Sequence, residues 1–321
     1  MEKKPLIVLA GPTAVGKTEL SLKLAGRMGG EIISADSMQV YRYLDIGSAK
    51  IRKEEMRKIP HHLIDVLDPE EEFNVTVFQR MAKECMEGIY QRGHIPIVTG
   101  GTGFYIQALL YDIDFAPEEE DTGIRQSLEA LAREKGAHYL HTLLEQADPE
   151  SAREIHENNI KRVIRALEFY RHRGFPISLH NRQQREKESP YLSCYFVLND
   201  DRDRLYERIN ERVDRMLEAG LLDEVKGLRE RGCCRDMVSM QGLGYKELLS
   251  FFEGELSLEE AVELIKRDSR HFAKRQLTWF RREKDVIWID RQVFGGDDGR
   301  ILSFMTEKML QKGIFYDGQF K

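Results

Sequence analysis

Residues 6–18 read Leu-Ile-Val-Leu-Ala-Gly-Pro-Thr-Ala-Val-Gly-Lys-Thr. The apolar run from Leu6 to Ala10 predicts a buried strand, which breaks at Gly11. The spacing from Gly11 to Gly16-Lys17-Thr18 fits the pattern G-x-x-x-x-G-K-[ST], and leucines typical of a helix follow. This strand–loop–helix context is the one that a phosphate-binding loop requires. The stretch therefore predicts that the chain binds a polyphosphate or a diphosphate.

Each part of this loop has a chemical role toward phosphate. Glycines let backbone N–H groups curl around phosphate oxygens, and the N-terminus of the following helix adds its positive dipole end. Lys17 brings a full charge, and the Thr18 hydroxyl is a candidate ligand of Mg²⁺. The predicted diphosphate-binding residues are Gly11, Pro12, Thr13, Ala14, Val15, Gly16, Lys17 and Thr18.

The remaining strand ends favour a transferase over a motor or switch. An ATPase normally places an acidic residue at the end of another apolar strand, where it orients Mg²⁺ and water. Here residues 95–98 run into Thr-Gly-Gly-Thr-Gly at 99–103, a second glycine turn that carries hydroxyl groups. The strand at 31–35 ends in Asp36, which Ser37, Gln39 and Tyr41 follow. We expect this acid to face a second substrate.

Composition indicates a soluble cytoplasmic enzyme. The chain has 321 residues, of which 41% are hydrophobic and 32% charged, enough for one large domain with an insertion or for two domains. No apolar stretch approaches the roughly 20 residues of a membrane span, and a signal-peptide pattern is not apparent. The four cysteines show no C-x-x-C pairing, so neither a zinc site nor a disulfide framework is expected.

Two segments are strongly basic although the formal net charge is −6. Residues 161–187 and residues 266–284 each contain eight Lys or Arg against two acidic residues. In the second segment Arg267, Arg270, Lys274 and Arg281 share one face of a helix. Such stripes are typical either of a solvated helix face or of a surface that binds a polyanion.

Alternating patterns predict an α/β fold with a parallel sheet covered by helices on both faces. Strands are expected at 5–10, 31–35, 62–66, 95–99, 192–198 and 286–290, and one long helix over 203–231. The segment 115–186 breaks this rhythm with consecutive amphipathic helices. The predicted organisation is a P-loop NTPase-like, nucleotide-kinase-like core domain over 1–114 and 187–321, with a helical insertion domain over 115–186.

Eight motifs, in this order, carry a resemblance to a known family. They are Gly-Pro-Thr-Ala-Val-Gly-Lys-Thr (11–18), Ser-Ala-Asp-Ser-Met-Gln-Val-Tyr (34–41), Asp-Ile-Gly-Ser-Ala-Lys (45–50), Pro-His-His-Leu-Ile-Asp (60–65), Gly-Gly-Thr-Gly-Phe-Tyr (100–105), Asn-Asn-Ile-Lys-Arg-Val-Ile-Arg-Ala-Leu-Glu (158–168), Gly-Leu-Gly-Tyr-Lys-Glu (242–247) and Lys-Arg-Gln-Leu-Thr-Trp-Phe-Arg (274–281). The chain resembles the bacterial tRNA dimethylallyltransferase family over roughly residues 5 to 290.

The resemblance implies a reaction. A dimethylallyl group would pass from dimethylallyl diphosphate to N6 of the adenosine immediately 3′ of the anticodon, in tRNAs that read codons beginning with U. It implies Mg²⁺ as cofactor, with Thr18 as its ligand, and the anticodon stem-loop of tRNA as partner. A monomer that does not bind membranes is expected.

The resemblance also implies residue roles. Asp36 would be the general base, and Thr102 and Arg212 would stabilise the leaving oxygen of the diphosphate. For Arg212 a surface ion pair with Glu207 or Glu211 is the alternative. The residues expected to contact tRNA are Asp36, Ser37, Met38, Gln39, Arg125, Lys161, Arg162, Val163, Ile164, Arg165, Gln241, Gly242, Leu243, Gly244, Tyr245, Lys246, Lys274, Arg275, Gln276, Leu277, Thr278, Trp279, Phe280 and Arg281.

Three other function classes remain open at this point. A small-molecule nucleotide kinase would share the phosphate loop and the helical insertion, but it would leave the two basic segments without a purpose. An adenylate isopentenyltransferase uses the same donor on free AMP and needs little basic surface outside its site. A non-enzymatic RNA-binding module would use the basic segments but leaves Asp36 beside a phosphate loop unexplained.

Overall fold

The structure is a computed structural model that describes residues 3–115 and 123–315. The chain divides into two compact units, one comprising Met1–Leu110 and Ser189–Lys321, the other Tyr111–Glu188. The second unit is thus an insertion into the first, at the place where the sequence predicts a helical insertion over 115–186. No helix in the described ranges has the length and apolar character needed to cross a bilayer.

The first unit contains a six-stranded, fully parallel sheet in the order β3-β2-β4-β1-β5-β6. The strands are β1 (Pro5–Ala10), β2 (Gly30–Ala35), β3 (His61–His62), β4 (Ile95–Gly100), β5 (Leu192–Asn199) and β6 (Val286–Asp290). The predicted α/β class is therefore confirmed. Buried parallel strands carry apolar side chains on both faces, which is why continuous apolar runs identified them.

The helices of the first unit follow the strands and cover the sheet. They are α1 (Lys17–Met28), α2 (Val75–Gln91), α3 (Gly103–Leu110), α8 (Arg202–Glu218), α9 (Leu221–Glu230), α10 (Tyr245–Phe252), α11 (Leu258–Phe280) and α12 (Asp298–Gln311). Short 3₁₀ turns span Lys53–Met56 and Val238–Gln241. Leucines of α1 and methionines of α12 join the strands in one apolar core. This packing fixes the carboxyl ends of the strands, where ligands bind in open α/β sheets.

Two predictions of secondary structure are wrong. The strand expected at 62–66 is only the two residues His61 and His62, because Leu63 and Asp65 have positive φ angles of 61° and 55° and turn the chain out of the sheet. The long helix expected over 203–231 is two helices. Gly220, with φ 99°, separates α8 from α9, a conformation that glycine adopts without steric cost.

The second unit consists of helices in its described part. They are α4 (Ile124–Ala147), which bends at Gly136, α5 (Pro149–Glu154), α6 (Ile160–Arg173) and α7 (Ile177–Glu186). Leu140 and Leu144 of α4 pack with Val163 and Leu167 of α6 in a separate small core. The buried carboxylate of Asp148 accepts hydrogen bonds from the N–H and hydroxyl groups of Ser151 and Ser178, at 2.6–3.0 Å.

A buried acid ties the edge of the sheet to the helix behind it. Glu31 of β2 is 1% exposed and accepts two hydrogen bonds from Arg92 at 2.7 and 2.8 Å. The rings of His62 and His94 each lie 2.7 Å from its carboxylate. Hydrogen bonds from Arg92, and then from the two histidines, outweigh burial and lower the pKa of Glu31 to about 2.

Candidate active site

The phosphate loop follows β1 and leads directly into α1. Gly11 has φ 152°, and a Cβ atom there would lie 2.8 Å from the carbonyl oxygen of Leu198, so only glycine fits. Gly16 has φ 94° and is the residue before α1. The loop therefore has the backbone conformation that aims N–H groups and the helix N-terminus at one point.

Lys17 lies inside this loop. Its Nζ donates hydrogen bonds to the carbonyl oxygens of Gly11 at 2.9 Å and of Pro12 at 2.7 Å. Burial, and to a smaller extent the positive charge of Arg212, lower the pKa of Lys17 to about 7, although the negative charge of Asp36 opposes both. In the free protein Lys17 therefore changes its protonation state near neutral pH, and a bound anion would stabilise its charged form.

Asp36 directly follows β2 at the same edge of the sheet. Its Oδ1 accepts hydrogen bonds from the backbone N–H groups of Met38 at 2.9 Å and Gln39 at 3.4 Å. These bonds fix the carboxylate, while Oδ2 accepts none from the described residues. Asp36 lines the same cavity as Lys17. A fixed carboxylate with one free oxygen is suited to accept a proton from a substrate.

Thr102 follows β4 in the second glycine turn. Its backbone N–H donates to the carbonyl of Ala35 at 3.3 Å, and its own carbonyl accepts from Tyr105 and Ile106 at the start of α3. The preceding residue, Gly101, lines the cavity. The ends of β2 and β4 thus hold Asp36 and Thr102 next to each other.

Helix α8 contributes three arginines, Arg208, Arg212 and Arg215, to the cavity wall. The surface ion pair considered for Arg212 is not present, since neither Glu207 nor Glu211 forms a salt bridge with it in the described structure. Burial lowers the pKa of Arg212, and the charge of Asp36 partly restores it. Arg208 forms an ion pair with Asp200. Sequence reasoning gave no role to Arg208 or Arg215, although their spacing from Arg212 was a usable signal.

The cavity has a volume of about 300 Å³ and a mixed lining. Lys17, the three arginines and the phosphate loop form a cationic part. Apolar side chains form a second part, among them Val15, Ile32, Ile51, Ile64 and Phe272, and polar side chains such as Ser34 and Gln39 complete the lining. This arrangement suits a ligand that has an anionic head and a short hydrocarbon chain.

The Thr18 hydroxyl fits a role as an Mg²⁺ ligand. Thr18 is exposed, lines the cavity, and its side chain makes no hydrogen bond with a described residue. Among the described residues, groups of three or more His, Cys, Asp or Glu that could hold a metal are not found. Mg²⁺ is commonly bound by one or two protein oxygens together with phosphate oxygens and water, which these residues allow.

Within 36–39, two of the side chains predicted to contact tRNA are engaged with the protein. Gln39 accepts a hydrogen bond from the Ser34 hydroxyl at 3.0 Å and donates to the Ser48 carbonyl at 3.3 Å. The sulfur of Met38 packs against Gly242, where a Cβ would lie 2.7 Å away. Ser37 is half-buried.

The turn at 241–246 contains a buried tyrosine. Tyr245 is fully buried, and its hydroxyl donates to Glu224 at 2.7 Å, so its side chain cannot contact tRNA in this structure. Glu224 in turn accepts backbone N–H groups of residues 45–47. Tyr245 therefore supports the loop after Asp36. The Gln241 amide donates to the Arg235 carbonyl, Leu243 is half-buried, Gly244 precedes α10, and Lys246 is 3.4 Å from Glu247.

The predicted tRNA-contacting stretch of α11 has two faces. The exposed side chains are Lys274, Arg275, Thr278 and Arg281, whereas Leu277 and Trp279 are half-buried. Gln276 and Phe280 are buried at 6% and 0% exposure, so their side chains lie on the inner face of the helix. Helical periodicity separates the exposed basic face from the buried face of the helix.

Helix α6 of the second unit has the same division. Lys161, Arg162 and Arg165 are exposed and form no ion pair with a described residue. Val163 and Ile164 are buried, because they pack in the core of the unit. Arg125 is exposed and forms an ion pair with Glu168 at 2.7 Å.

Comparison with known proteins identifies the family to which the sequence is similar. The sequence matches the family model of IPP transferase over residues 39–283 and that of isopentenyl transferase over residues 4–68. It is 57% identical, over 311 residues, to the tRNA dimethylallyltransferase of Lachnoclostridium phytofermentans, and the alignment covers 97% of this chain and 99% of that protein.

Solved structures agree with this family. The full-length tRNA isopentenylpyrophosphate transferase of Bacillus halodurans is 44% identical with a TM-score of 0.73, covering 97% of this chain and 98% of that one. A eukaryotic dimethylallyltransferase acting on tRNA is 31% identical with a TM-score of 0.79, covering 89% of this chain and 74% of that one. The predicted nucleotide-kinase-like core and the predicted family are confirmed.

Proposed function

The chain belongs to the tRNA dimethylallyltransferase (IPP transferase) family, and from this premise we propose the reaction that its cavity performs. Membership identifies an enzyme that transfers a dimethylallyl group to tRNA. In our proposal the donor is dimethylallyl diphosphate, and the acceptor is N6 of the adenosine immediately 3′ of the anticodon. The substrates are tRNAs that read codons beginning with U. One observation carries the proposal: a phosphate loop, a fixed carboxylate and an apolar wall line a single cavity.

The diphosphate is bound by residues 11–18. Backbone N–H groups, the start of α1 and Lys17 neutralise its charge, and the apolar wall accepts the five-carbon chain. The Thr18 hydroxyl would hold Mg²⁺, which when bound would supply further stabilisation of the leaving diphosphate. Arg212 and the Thr102 hydroxyl donate to the oxygen that becomes negative as the carbon–oxygen bond breaks, which is worth roughly 10²–10³ in rate per donor.

Asp36 acts on the acceptor. The exocyclic amine of adenine is a weak nucleophile, because its lone pair is delocalised into the ring. As the carbon–nitrogen bond forms, the free Oδ2 of Asp36 takes the proton that the amine loses, a contribution of about 10²–10⁴ in rate. The adenine reaches this cavity only when it leaves the stack of the anticodon loop, so we propose that it is flipped out.

The exposed basic faces of α6 and α11 bind the RNA backbone in this proposal. Lys161, Arg162 and Arg165 in one unit, and Lys274 and Arg281 in the other, are exposed and have no acidic partner in the described structure. We propose that the enzyme acts as a monomer, since the phosphate loop and the proposed base Asp36 line one cavity of a single chain. Because its proposed substrate is tRNA, we also propose that it acts in the cytoplasm.

The reaction is tested with labelled dimethylallyl diphosphate, Mg²⁺ and an unmodified anticodon stem-loop, followed by nucleoside analysis. We expect label in one adenosine, and none when that adenosine is replaced by guanosine. An excess of AMP should neither compete nor become labelled. Label on AMP instead of RNA would assign the chain to an adenylate isopentenyltransferase, and label at another adenosine would refute the proposed position.

A further inference from the structure

Helix α11 has an inner face that contacts both loops of the proposed diphosphate site. The Gln276 side chain is 6% exposed, and its Oε1 accepts a hydrogen bond from the backbone N–H of Thr13 at 3.0 Å. Its Nε2 donates to the carbonyl of Gly101 at 3.0 Å. Thr13 lies in the phosphate loop, and Gly101 precedes Thr102. One buried amide therefore joins the loop after β1 to the turn after β4.

The turn that carries Thr102 lies directly against α11 on both sides of that residue. A Cβ at Gly101 would lie 2.0 Å from Nε2 of Gln276, and a Cβ at Gly103 would lie 2.2 Å from Cδ1 of Trp279. Residues three apart on a helix share one face. The helix thus clamps the residues before and after Thr102, and glycine is required at both because the side chains of α11 fill the space.

The outer face of the same helix is the basic surface. Lys274 and Arg281 are exposed there, two residues before Gln276 and two residues after Trp279. If α11 moved on contact with RNA while the two loops stayed in place, Gln276 would lose its hydrogen bonds to Thr13 and Gly101. Its buried amide would then be unpaired, which is costly. Either the two loops move with the helix, or the helix is held in place by the loops.

We propose that Gln276 is a positioning residue that couples tRNA binding on α11 to diphosphate binding in the phosphate loop. This inference rests on the function proposed above. RNA on the outer face would favour the arrangement of α11 in which Thr13 and Gly101 are both bonded to Gln276. By linkage the effect is reciprocal, so bound diphosphate also strengthens RNA binding by the same factor.

The coupling is measured with inorganic diphosphate and Mg²⁺ as the probe, by calorimetry with and without a saturating anticodon stem-loop. We expect the stem-loop to lower the dissociation constant of diphosphate by roughly 5-fold or more in the wild-type chain. In Gln276→Met, which keeps the side-chain volume and removes both hydrogen bonds, this factor should fall to about 1–2. RNA affinity without diphosphate should stay within a few-fold.

Gln79→Met is the matched control. Gln79 is also a buried amide that donates to a backbone carbonyl, that of Ala108 at 2.8 Å, and it does not line the cavity. The control should lose stability similarly and keep the wild-type coupling. If Gln276→Met unfolds more readily than the control, Gln276→Asn is used, whose shorter amide cannot span Thr13 and Gly101.

Two results would overturn the inference: wild-type coupling in the Gln276 variants, or no coupling in the wild-type chain. Neither bears on the proposed reaction, which is judged separately by transfer of dimethylallyl to the stem-loop. If the wild-type chain transfers the dimethylallyl group but shows no coupling, only this inference is refuted. If the chain binds both ligands with coupling but does not modify RNA, the proposed reaction is refuted.

Discussion

The backbone N–H of Thr102 donates a hydrogen bond to the carbonyl of Ala35, with a nitrogen–oxygen distance of 3.3 Å. Ala35 is the residue before Asp36, and it pairs with Gly100 at the ends of β2 and β4. The proposed base and the proposed donor to the leaving group are therefore held by neighbouring strands of one sheet. The distance between the backbones of Asp36 and Thr102 is fixed by the pairing of these strands, and motion of the side chains cannot change it.

We expect Asp36→Asn to cut single-turnover dimethylallyl transfer by about 10²–10⁴. Asparagine keeps an oxygen that can accept from Met38 and Gln39, so the turn is preserved while the proton acceptor is lost. RNA affinity should change by no more than a few-fold, as a filter-binding measurement would show. Near-normal transfer in this variant would remove Asp36 from the mechanism.

Arg212→Ala and Thr102→Ala should each slow the chemical step by roughly 10²–10³, because each removes a donor to developing charge. Their combined effect should be smaller than the product if the two act on the same oxygen. Glu211→Gln is the control, since Glu211 is exposed and makes no salt bridge with Arg212 in the described structure. A wild-type single-turnover rate in Arg212→Ala would leave that residue without a catalytic role.

Diphosphate binding should be coupled to proton uptake through Lys17. Its pKa of about 7 leaves it mostly neutral at pH 8, and a bound anion favours the charged form, so binding draws a proton above pH 7. The proton number is obtained by calorimetry in buffers of different ionisation enthalpy. Lys17→Arg, which is charged throughout, corrects for protons bound by diphosphate itself. The number of protons that the wild-type chain takes up on binding should exceed that of Lys17→Arg by nearly one at about pH 8–9. This difference should vanish by about pH 6.

Neutralising Lys274 and Arg281 together should weaken RNA binding and flatten its salt dependence. Each lost phosphate contact reduces the magnitude of the slope of log affinity against log salt by about 0.7–0.9. The slope of the double variant should therefore be smaller in magnitude than that of the wild type by about 1.4–1.8. Lys266 and Arg267 provide a control of equal charge on the same helix, because they pair with Asp214 and Asp268. An equal change of slope in both double variants would indicate a general charge effect.

Acid should destabilise the first unit through Glu31. Its pKa is lowered in the folded state to about 2 from 4.5, so the stabilisation is complete above pH 4.5 and is lost as the pH falls toward 2. The free energy of unfolding should therefore differ between wild type and Glu31→Gln by on the order of 2 kcal/mol at pH 7. Urea unfolding across pH 3–7 should show the difference narrowing below pH 4.5. A constant difference would mean that charge on Glu31 contributes nothing.

The sheet was predictable because buried parallel strands leave continuous apolar runs, and the phosphate loop because its chemistry is local in sequence. The break at Gly220 and the end of β3 could not be predicted from the sequence. Each depends on a positive φ angle, which is set by tertiary packing that the spacing of apolar residues does not record. The same limit applies to Gln276, which the sequence assigned to the RNA surface. Its partner Thr13 lies 263 residues away, a distance over which no local pattern carries information.

The central position of β1 has a consequence for how the chain is made. β1 lies between β4 and β5, so its neighbours are residues 95–100 and 192–199. During synthesis the first apolar strand emerges long before either partner, and pairing over such separations is slow. Until residue 199 has left the ribosome, at least one edge of this strand lacks its native partner and is open to aggregation. Yield in a cell should therefore depend on chaperone protection of the nascent chain.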